Sequence, residues 1–252
     1  MRYLQLTLDT PAENLALDEA LLDVAESSEL ESGVLRIWES PTYCVVLGRS
    51  SSAEIEVDLE ACRKDRVPVL RRSSGGGTIL AGPGCLMYAL VLGFRDYPQL
   101  QAIDQAHQFV LGELSRMLTS NETTVTPVGT SDLAIRPTEF ASLQKFSGNA
   151  IRLKRKHILY HGTLLYDFDL KRLSRWLAAP TRTPAYRAER RHAEFVTNIN
   201  IKRETLIQLL IDGWLADKAI ATWPQQRTAE LVKTKYTDDP KWVVHNPSAQ
   251  IA

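Results

Sequence analysis

The sequence predicts an α+β fold in which mixed β-sheets are flanked by helices. Two observations predict it. Apolar runs of strand length and longer runs at helical spacing follow in the order strand, helix, strands, helix, strands, then helices, without regular βαβ alternation. A chain of 252 residues, 44% of them hydrophobic, can also bury a genuine core without disulfides. No repeat or low-complexity linker divides it, so a single domain over residues 1–252 is expected.

Each element has its own signal. Arg2 to Leu8 alternates like a strand, and Pro11 opens a helix with Leu17, Leu21 and Val24 on one stripe. Val34 to Trp38 and Tyr43 to Leu47 read as strands joined by the turn Glu39-Ser40-Pro41-Thr42. Val57 to Lys64 reads as a short helix, Val67 to Leu70 as a strand, and Leu86 to Leu92 as a strand after the turn Gly82-Pro83-Gly84. Leu100 to Leu118 carries Ile103, His107, Val110, Leu111, Leu114 and Leu118 in helical period. Short β-like pieces follow at Leu133 to Ile135 and Ile151 to Leu153, then a strong strand at Ile158 to Tyr166. Helices resume at Leu170 to Leu177, Arg203 to Trp214 and Thr228 to Tyr236. The stretch Pro180 to Glu194 is the weakest point, and the chain beyond it reads as a helical lobe folding back.

Composition removes several function classes. Thirty Lys plus Arg balance thirty Asp plus Glu, so no global positive charge exists to release counterions from a nucleic acid. Any anion site must be local. No stretch approaches the roughly eighteen apolar residues of a membrane span, and MRYLQLTLDT lacks the pattern of a secretory signal, so a soluble cytoplasmic protein is expected. Cys44, Cys62 and Cys85 are odd in number and sit in apolar or helical context, which suits buried thiols.

Four constellations carry chemistry. Arg71-Arg72-Ser73-Ser74-Gly75-Gly76-Gly77-Thr78 follows a strand directly, and consecutive glycines let backbone N–H groups converge on an anion. It has neither the Gly-Lys-Ser/Thr ending of a Walker loop nor a G-x-G-x-x-G. In Lys145-Phe146-Ser147-Gly148-Asn149-Ala150 a lysine precedes a small-residue turn, where its ammonium can reach a phosphate or carbonyl. Tyr160-His161-Gly162-Thr163 interrupts a strand with glycine, often a mark of close ligand approach, although a lone strand histidine is more often packed core. Ser131-Asp132-Leu133 sets an acid at a strand start, with an Asx-turn as the alternative.

Taken with Asn14-Leu15-Ala16-Leu17-Asp18-Glu19, Val45-Val46-Leu47-Gly48-Arg49, His161-Gly162-Thr163-Leu164-Leu165 and Phe195-Val196-Thr197-Asn198-Ile199, these motifs resemble those of the lipoate-protein ligase A and octanoyltransferase family, in the family's order. The resemblance implies the catalytic domain fold shared with biotin ligases and class II aminoacyl-tRNA synthetases. The biotin branch fits less well, since Arg49 is followed by serines rather than a Gly-Arg-Gly-Arg loop. The implied activity joins lipoate or octanoate to ATP as an acyl-adenylate, with Mg2+ accompanying ATP. The acyl group then passes to a lysine of a lipoyl domain in a 2-oxoacid dehydrogenase or a glycine-cleavage H-type protein. By similarity Lys145 serves the acyl carbonyl and α-phosphate. Arg49, Arg72, Ser74, Gly75, Gly76, Gly77 and Thr78 belong to the acyl and phosphate site, and Ser131, Asp132, Ser147, Gly148, Ala150, His161, Gly162 and Thr163 wall the pocket.

Two departures bear on this. The family's His-Asp after the glycines is replaced by Ala81-Gly82-Pro83-Gly84-Cys85, so no metal ligand is assigned. The family's C-terminal accessory domain has no counterpart in the sequence, which raises a separate accessory protein as a partner. Two alternatives stay open: an octanoyl or lipoyl transferase using a carrier-bound acyl group, for which Cys85 is the one thiol near the pocket motifs, and a protein that binds lipoate or its adenylate without turnover. Arg152, Lys154, Arg155 and Lys156 read either as a docking edge for an acidic lipoyl domain or as a solvated strand face.

Overall fold

A computed structural model describes residues 1–28, 33–138, 141–178, 184–188, 190–237 and 239–247. Its twelve strands among the described residues are β1 Arg2–Gln5, β2 Val34–Glu39, β3 Cys44–Leu47, β4 Val69–Arg71, β5 Ile79–Ala81, β6 Cys85–Gly93, β7 Thr126–Val128, β8 Asp132–Ile135, β9 Gln144–Leu153, β10 His157–Leu165, β11 Lys218–Ala219 and β12 Val243–His245. The helices are α1 Pro11–Ser28, α2 Ala53–Glu56, α3 Leu59–Lys64, α4 Ile103–Leu118, α5 Leu173–Trp176, α6 His192–Phe195, α7 Arg203–Gly213 and α8 Gln225–Leu231. The expected α+β plan holds. Eight strands form one sheet in the order β11-β1-β2-β6-β10-β9-β8-β7, and four form a second, β12-β4-β3-β5. In the large sheet only the β11-β1-β2 pairs are parallel.

Strand periodicity explains the layers. In β6, Leu86, Tyr88, Leu90 and Leu92 face one core together with α4 and α7, while Ala89 and Val91 face another with Leu17, Leu21 and Leu22 of α1. A sheet covered on both faces reads as a continuous apolar run, as β6 does. Leu15, Ala16 and Ala20 of α1 join the core of the small sheet, so α1 serves both sheets. Its start is a capping box: Thr10 N donates to Glu13 Oε2 at 2.8 Å, and Glu13 N donates back to Thr10 Oγ1 at 3.2 Å, with Pro11 at the first helical position.

The structure corrects the expectations in four places. The helix expected over Val57 to Lys64 begins at Leu59 as α3, because Asp58 accepts from Ala61 N at 2.9 Å and caps it, and a separate short helix, α2, precedes it where none was expected. Lys145 does not precede a turn: it lies within β9, whose pairing with β8 shifts register between Leu133 and Ala134. The first strand ends at Gln5 rather than Leu8. No helical lobe is appended, because β11 pairs with β1, α8 joins α1, and β12 pairs with β4. Of the weak point at Pro180 to Glu194, residues 180–183 and 189 lie outside the described residues, and the rest includes a 3-10 turn, Ala185–Arg187, and the start of α6. Among the described residues no helix is long and apolar enough to cross a membrane.

The turn Gly82-Pro83-Gly84 is built into the core wall. Gly84 has φ +84°, its N–H donates to Glu39 Oε1 at 2.8 Å, and a Cβ placed on it would stand 2.2 Å from Asp167 O. Gly84→Ala is expected to lose about 2–4 kcal/mol of unfolding free energy. Gly75→Ala, whose added methyl meets nothing within 4 Å, should stay within about 1 kcal/mol of the parent. Urea unfolding of the two variants measures the contrast.

Candidate active site

The glycine loop between β4 and β5 is shaped from beneath by Arg72. This guanidinium donates through Nε to Ser74 Oγ at 2.9 Å, through Nη1 to Val46 O at 3.2 Å, and through Nη2 to Gly75 O and Gly77 O at 2.6 and 2.8 Å. Four of its five N–H donors are thereby spent on the fold. Arg72 is 6% exposed and forms no ion pair with a described residue. Burial pulls its pKa down to about 10 against the opposing influence of Glu56, so it stays charged at neutral pH. A buried cation whose hydrogen bonds go to neutral acceptors, with the Glu56 carboxylate acting on it without a direct bond, favours an anion above the loop.

The loop closes onto both sheets. A Cβ on Gly48, at the end of β3, would stand 1.9 Å from Gly76 O, so only glycine admits the loop there. Arg49 N donates to Ser74 O at 2.8 Å, and Gly75 N donates to Ile151 O of β9 at 3.4 Å. Thr78 gives both its N–H (3.2 Å) and its hydroxyl (2.5 Å) to Glu56 Oε2.

Between this loop and strands β9 and β10 lies a cleft with a cavity volume of about 90 Å³. Leu15, Val46, Ile79 and Met87 supply apolar wall, and Arg72, Lys145, Asp132, Asn149, His161 and Thr163 supply polar groups. Lys145 Nζ is 2.7 Å from Asp132 Oδ1 and arches over Gly148, where a Cβ would come within 2.8 Å of it. Opposite Gly162, Asn149 Oδ1 occupies the space a Cβ would need, at 1.9 Å, so the in-strand glycine makes room for Asn149. Asn149 is fixed by the Tyr88 hydroxyl, which donates to Oδ1, and by its own Nδ2 donating to Ser131 O at 2.8 Å and Ser147 Oγ at 3.2 Å. Burial pushes the Tyr88 phenol far up, so it remains a donor.

A second buried chain reaches the cleft from α1. His161 Nε2 is 2.6 Å from Ser74 Oγ, and its Nδ1 faces Asp18 Oδ2 across 3.6 Å, longer than a hydrogen bond. Asp18 Oδ1 pairs with Arg36 Nη1 at 2.5 Å, and Arg36 also donates to Asn14 Oδ1 at 2.6 Å and Asn14 O at 2.8 Å. A proton on Nδ1 would face this carboxylate and would leave Nε2 to accept from the Ser74 hydroxyl. Burial alone would raise the Asp18 carboxyl, but Arg36 and His161 outweigh it and hold it below the ordinary 3.8. Burial likewise lowers Arg36 despite Asp18, so the pair adds little net stability, yet neither member can be removed alone.

The structure brings eleven of the sixteen sequence-predicted residues to the cleft wall: Arg72, Gly77, Thr78, Ser131, Asp132, Lys145, Gly148, Ala150, His161, Gly162 and Thr163. Ser74, Gly75, Gly76 and Ser147 stand behind or above that wall, and Arg49 is exposed with its side chain outside it. Sequence reasoning assigned no role to Asn149, Tyr88, Asp18, Arg36 or Tyr186. The signal for Asn14 and Asp18 was visible as polar positions in α1, and both are buried. Cys85 is fully buried outside the cleft with its thiol raised by burial, and Cys44 and Cys62 are pushed up to about 12. None is a thiolate at neutral pH, and an acyl-cysteine mechanism needs one.

The chain is a two-sheet body whose cleft has a glycine loop on one side and a lysine opposite it. The profile of the lipoyl protein ligase A/B catalytic domain matches residues 10–212, and the chain belongs to that family. It is 31% identical over 167 residues to a probable lipoate-protein ligase A of Mycoplasma pneumoniae, covering 66% of this chain and 46% of that protein. It spans 46–60% of the length of the curated relatives it matches. In fold it resembles a chain of a bi-partite lipoate protein ligase from Thermoplasma acidophilum, studied with its E2 lipoyl domain (TM-score 0.69, 23% identity, 96% of each chain). It also resembles a lipoate-protein ligase A crystallised with ATP (TM-score 0.66, 22% identity, 95% of this chain and 98% of that one).

Asp18→Asn should leave Arg36 buried and unpaired, at a cost of about 3–5 kcal/mol at pH 7. Because the folded Asp18 holds its proton less readily than the unfolded chain, its stabilisation is present above the unfolded value of 3.8 and fades as pH falls through the lower folded value. Urea titrations at pH 7 and pH 3 should therefore show the gap between parent and variant narrowing in acid.

Proposed function

We propose that the chain activates lipoate, or the related octanoate, with ATP to an acyl-adenylate and transfers the acyl group to a lysine of a lipoyl acceptor domain. The observation that carries this reading is the placing of two cations, Arg72 under the glycine loop and Lys145 opposite it, across a cleft whose wall also presents the apolar side chains of Leu15, Val46, Ile79 and Met87. An acyl-adenylate has that polarity: an apolar tail, a carbonyl, and a phosphate anion.

In the first step a carboxylate oxygen of lipoate attacks the α-phosphorus of ATP and pyrophosphate departs. In the second, the acceptor's ε-amine attacks the acyl carbonyl, AMP leaves, and the amine proton passes to solvent. Negative charge shifts among oxygens in both steps, so fixed donors and cations matter more than a strong base. Lys145 supplies its ammonium where carbonyl and phosphate meet. With the Gly75 N–H given to Ile151 O and the Thr78 N–H to Glu56, the Gly76 and Gly77 amides are the ones to hold phosphate oxygens, and the apolar residues Leu15, Val46, Ile79 and Met87 take the acyl chain.

Magnesium enters as part of the ATP substrate. Asp132 is the one carboxylate among the residues lining the cleft, and no cluster of three or more His, Cys, Asp or Glu residues suited to a metal occurs among the described residues. That donor set supplies no cage of protein carboxylates, and both Asp132 oxygens are already engaged by Lys145 and Tyr186, so the ion would be held chiefly by phosphates and water. The acceptor read here is a lipoyl domain of a 2-oxoacid dehydrogenase or an H-type protein. Lys154 is paired with Asp23, which leaves Arg152 and Arg155 as the charges of the β9–β10 turn available to steer an acidic partner.

Lys145→Ala is expected to keep the parent's melting temperature while pyrophosphate release from ATP and lipoate falls by about 10²–10³-fold. Intact-mass analysis of an apo lipoyl domain should show its lipoylation lost in parallel. Parent-level activity in the variant would refute the role of Lys145. A stable acyl adduct on Cys85 after incubation with octanoyl-carrier protein would replace the ligase with a transferase.

A further inference from the structure

Tyr186 lies in the 3-10 turn Ala185–Arg187, far in sequence from the cleft motifs, yet its hydroxyl reaches them. Oη donates to Asp132 Oδ2 at 2.8 Å, while Oδ1 of the same carboxylate holds Lys145 Nζ at 2.7 Å. Asp132 is 7% exposed, so water does little to replace either bond. A carboxylate engaged at both oxygens cannot rotate without breaking a contact, and the direction in which it holds the ammonium is thereby set.

The tyrosine is itself held in place. Its ring packs on Phe195 with centroids 5.1 Å apart, and Gly129, at φ +57°, leaves room beside it. Arg190 Nη2 donates to Tyr186 O at 2.7 Å and Nη1 to Leu143 O at 2.9 Å, tying the turn to the chain that enters β9 one residue before Lys145. Beyond α6, Thr197 N donates to Lys145 O at 2.8 Å. Burial, with Asp132 beside it, raises the phenol well beyond its ordinary value, so it only donates.

We propose that Tyr186 is a positioning residue that acts through Asp132 to aim the Lys145 ammonium into the cleft. The inference rests on the catalytic reading of Lys145 and deepens it: the segment after Pro184 is part of the machinery that sets the lysine, although Tyr186 is not among the residues lining the cleft.

Tyr186→Phe keeps the ring and removes only the hydroxyl. The variant should unfold at the parent's temperature, with kcat for pyrophosphate release lowered about ten-fold and KM for lipoate and ATP unchanged within about two-fold. If the effect runs through Asp132, adding Tyr186→Phe to an Asp132→Asn chain costs nothing more. An equal loss in both backgrounds, or a parent-level kcat in Tyr186→Phe, overturns the proposal. The same geometry is read without turnover by competitive acetylation with acetic anhydride and peptide mass spectrometry. Lys145 should be labelled several-fold faster in Tyr186→Phe, relative to the exposed Lys218 and Lys233, because its partner no longer holds it in one place. Unchanged labelling overturns the positioning role. Faster labelling in a protein whose parent releases no pyrophosphate keeps that role and removes the ligase reading.

Discussion

The site depends on a guanidinium buried without a carboxylate. Arg72 could be left so only if its hydrogen bonds were supplied by the backbone, and the carbonyls of Val46, Gly75 and Gly77 supply them. In a trans peptide the N–H points opposite the C=O, so turning the carbonyls of Gly75 and Gly77 towards Arg72 turns the amides of Gly76 and Thr78 away from it. One of those amides already holds an anion: Thr78 N–H donates to the Glu56 carboxylate. The cation therefore does two things with one set of bonds. It fixes the loop's conformation, and it leaves a positive field on the side where amides emerge.

Rigidity matters because a loop of three glycines is entropically costly to order. Its order is imposed from three directions: Arg72 below, Gly48 against Gly76, and β9 through Gly75 N to Ile151 O. The chain from Arg36 through Asp18 and His161 to Ser74 adds a fourth, rooted in α1. An apolar substitute for this chain could be as stable. What such a substitute would lose is the His161 ring held with Nδ1 towards Asp18 and Nε2 on Ser74, at the edge of the cleft.

Much of this was legible in the sequence, and for stated reasons. Glycine runs beside arginine, an in-strand His-Gly-Thr, a lysine ahead of small residues and the pair Ser131-Asp132 each reflect a local backbone need, and eleven of those residues meet in the cleft. The parts that escaped are non-local. Tyr186 reaches Asp132 across 54 positions, and Arg36 reaches Asp18 across 18, so no spacing rule links them. Lys145 was placed ahead of a turn because Ser147 and Gly148 look like turn residues. In the fold they are strand residues, small because Asn149 is bound to Ser147 Oγ and because Lys145 lies over Gly148. Strands β5, β11 and β12, of two or three residues each, are too short to show a period.

The end of the described chain is as much a part of the site's support as the motifs are. β12 pairs with β4, the strand that delivers Arg72, and Arg71 ties the two together by donating from its N–H to Trp242 O and from Nε to Lys241 O, each at 2.8 Å. The same Arg71 reaches forward through Nη1 to Gly48 O at 2.9 Å and Ser51 O at 2.7 Å, on the far side of the loop. From the π-helical turn Val232–Tyr236, Lys235 and Tyr236 both bind Glu19, the neighbour of Asp18, and the Lys235 ammonium lies 3.5 Å from the centroid of the Trp242 ring. These residues lie beyond the stretch matched by the family profile, yet they brace both the strand beneath the loop and the helix behind His161. Loop geometry is therefore a property of the two-sheet body and not of an eight-residue motif. The Gly82-Pro83-Gly84 turn is braced in the same way: Glu39 accepts from Gly84 N and is itself held by Tyr166 and Arg203, none of which belongs to the cleft wall.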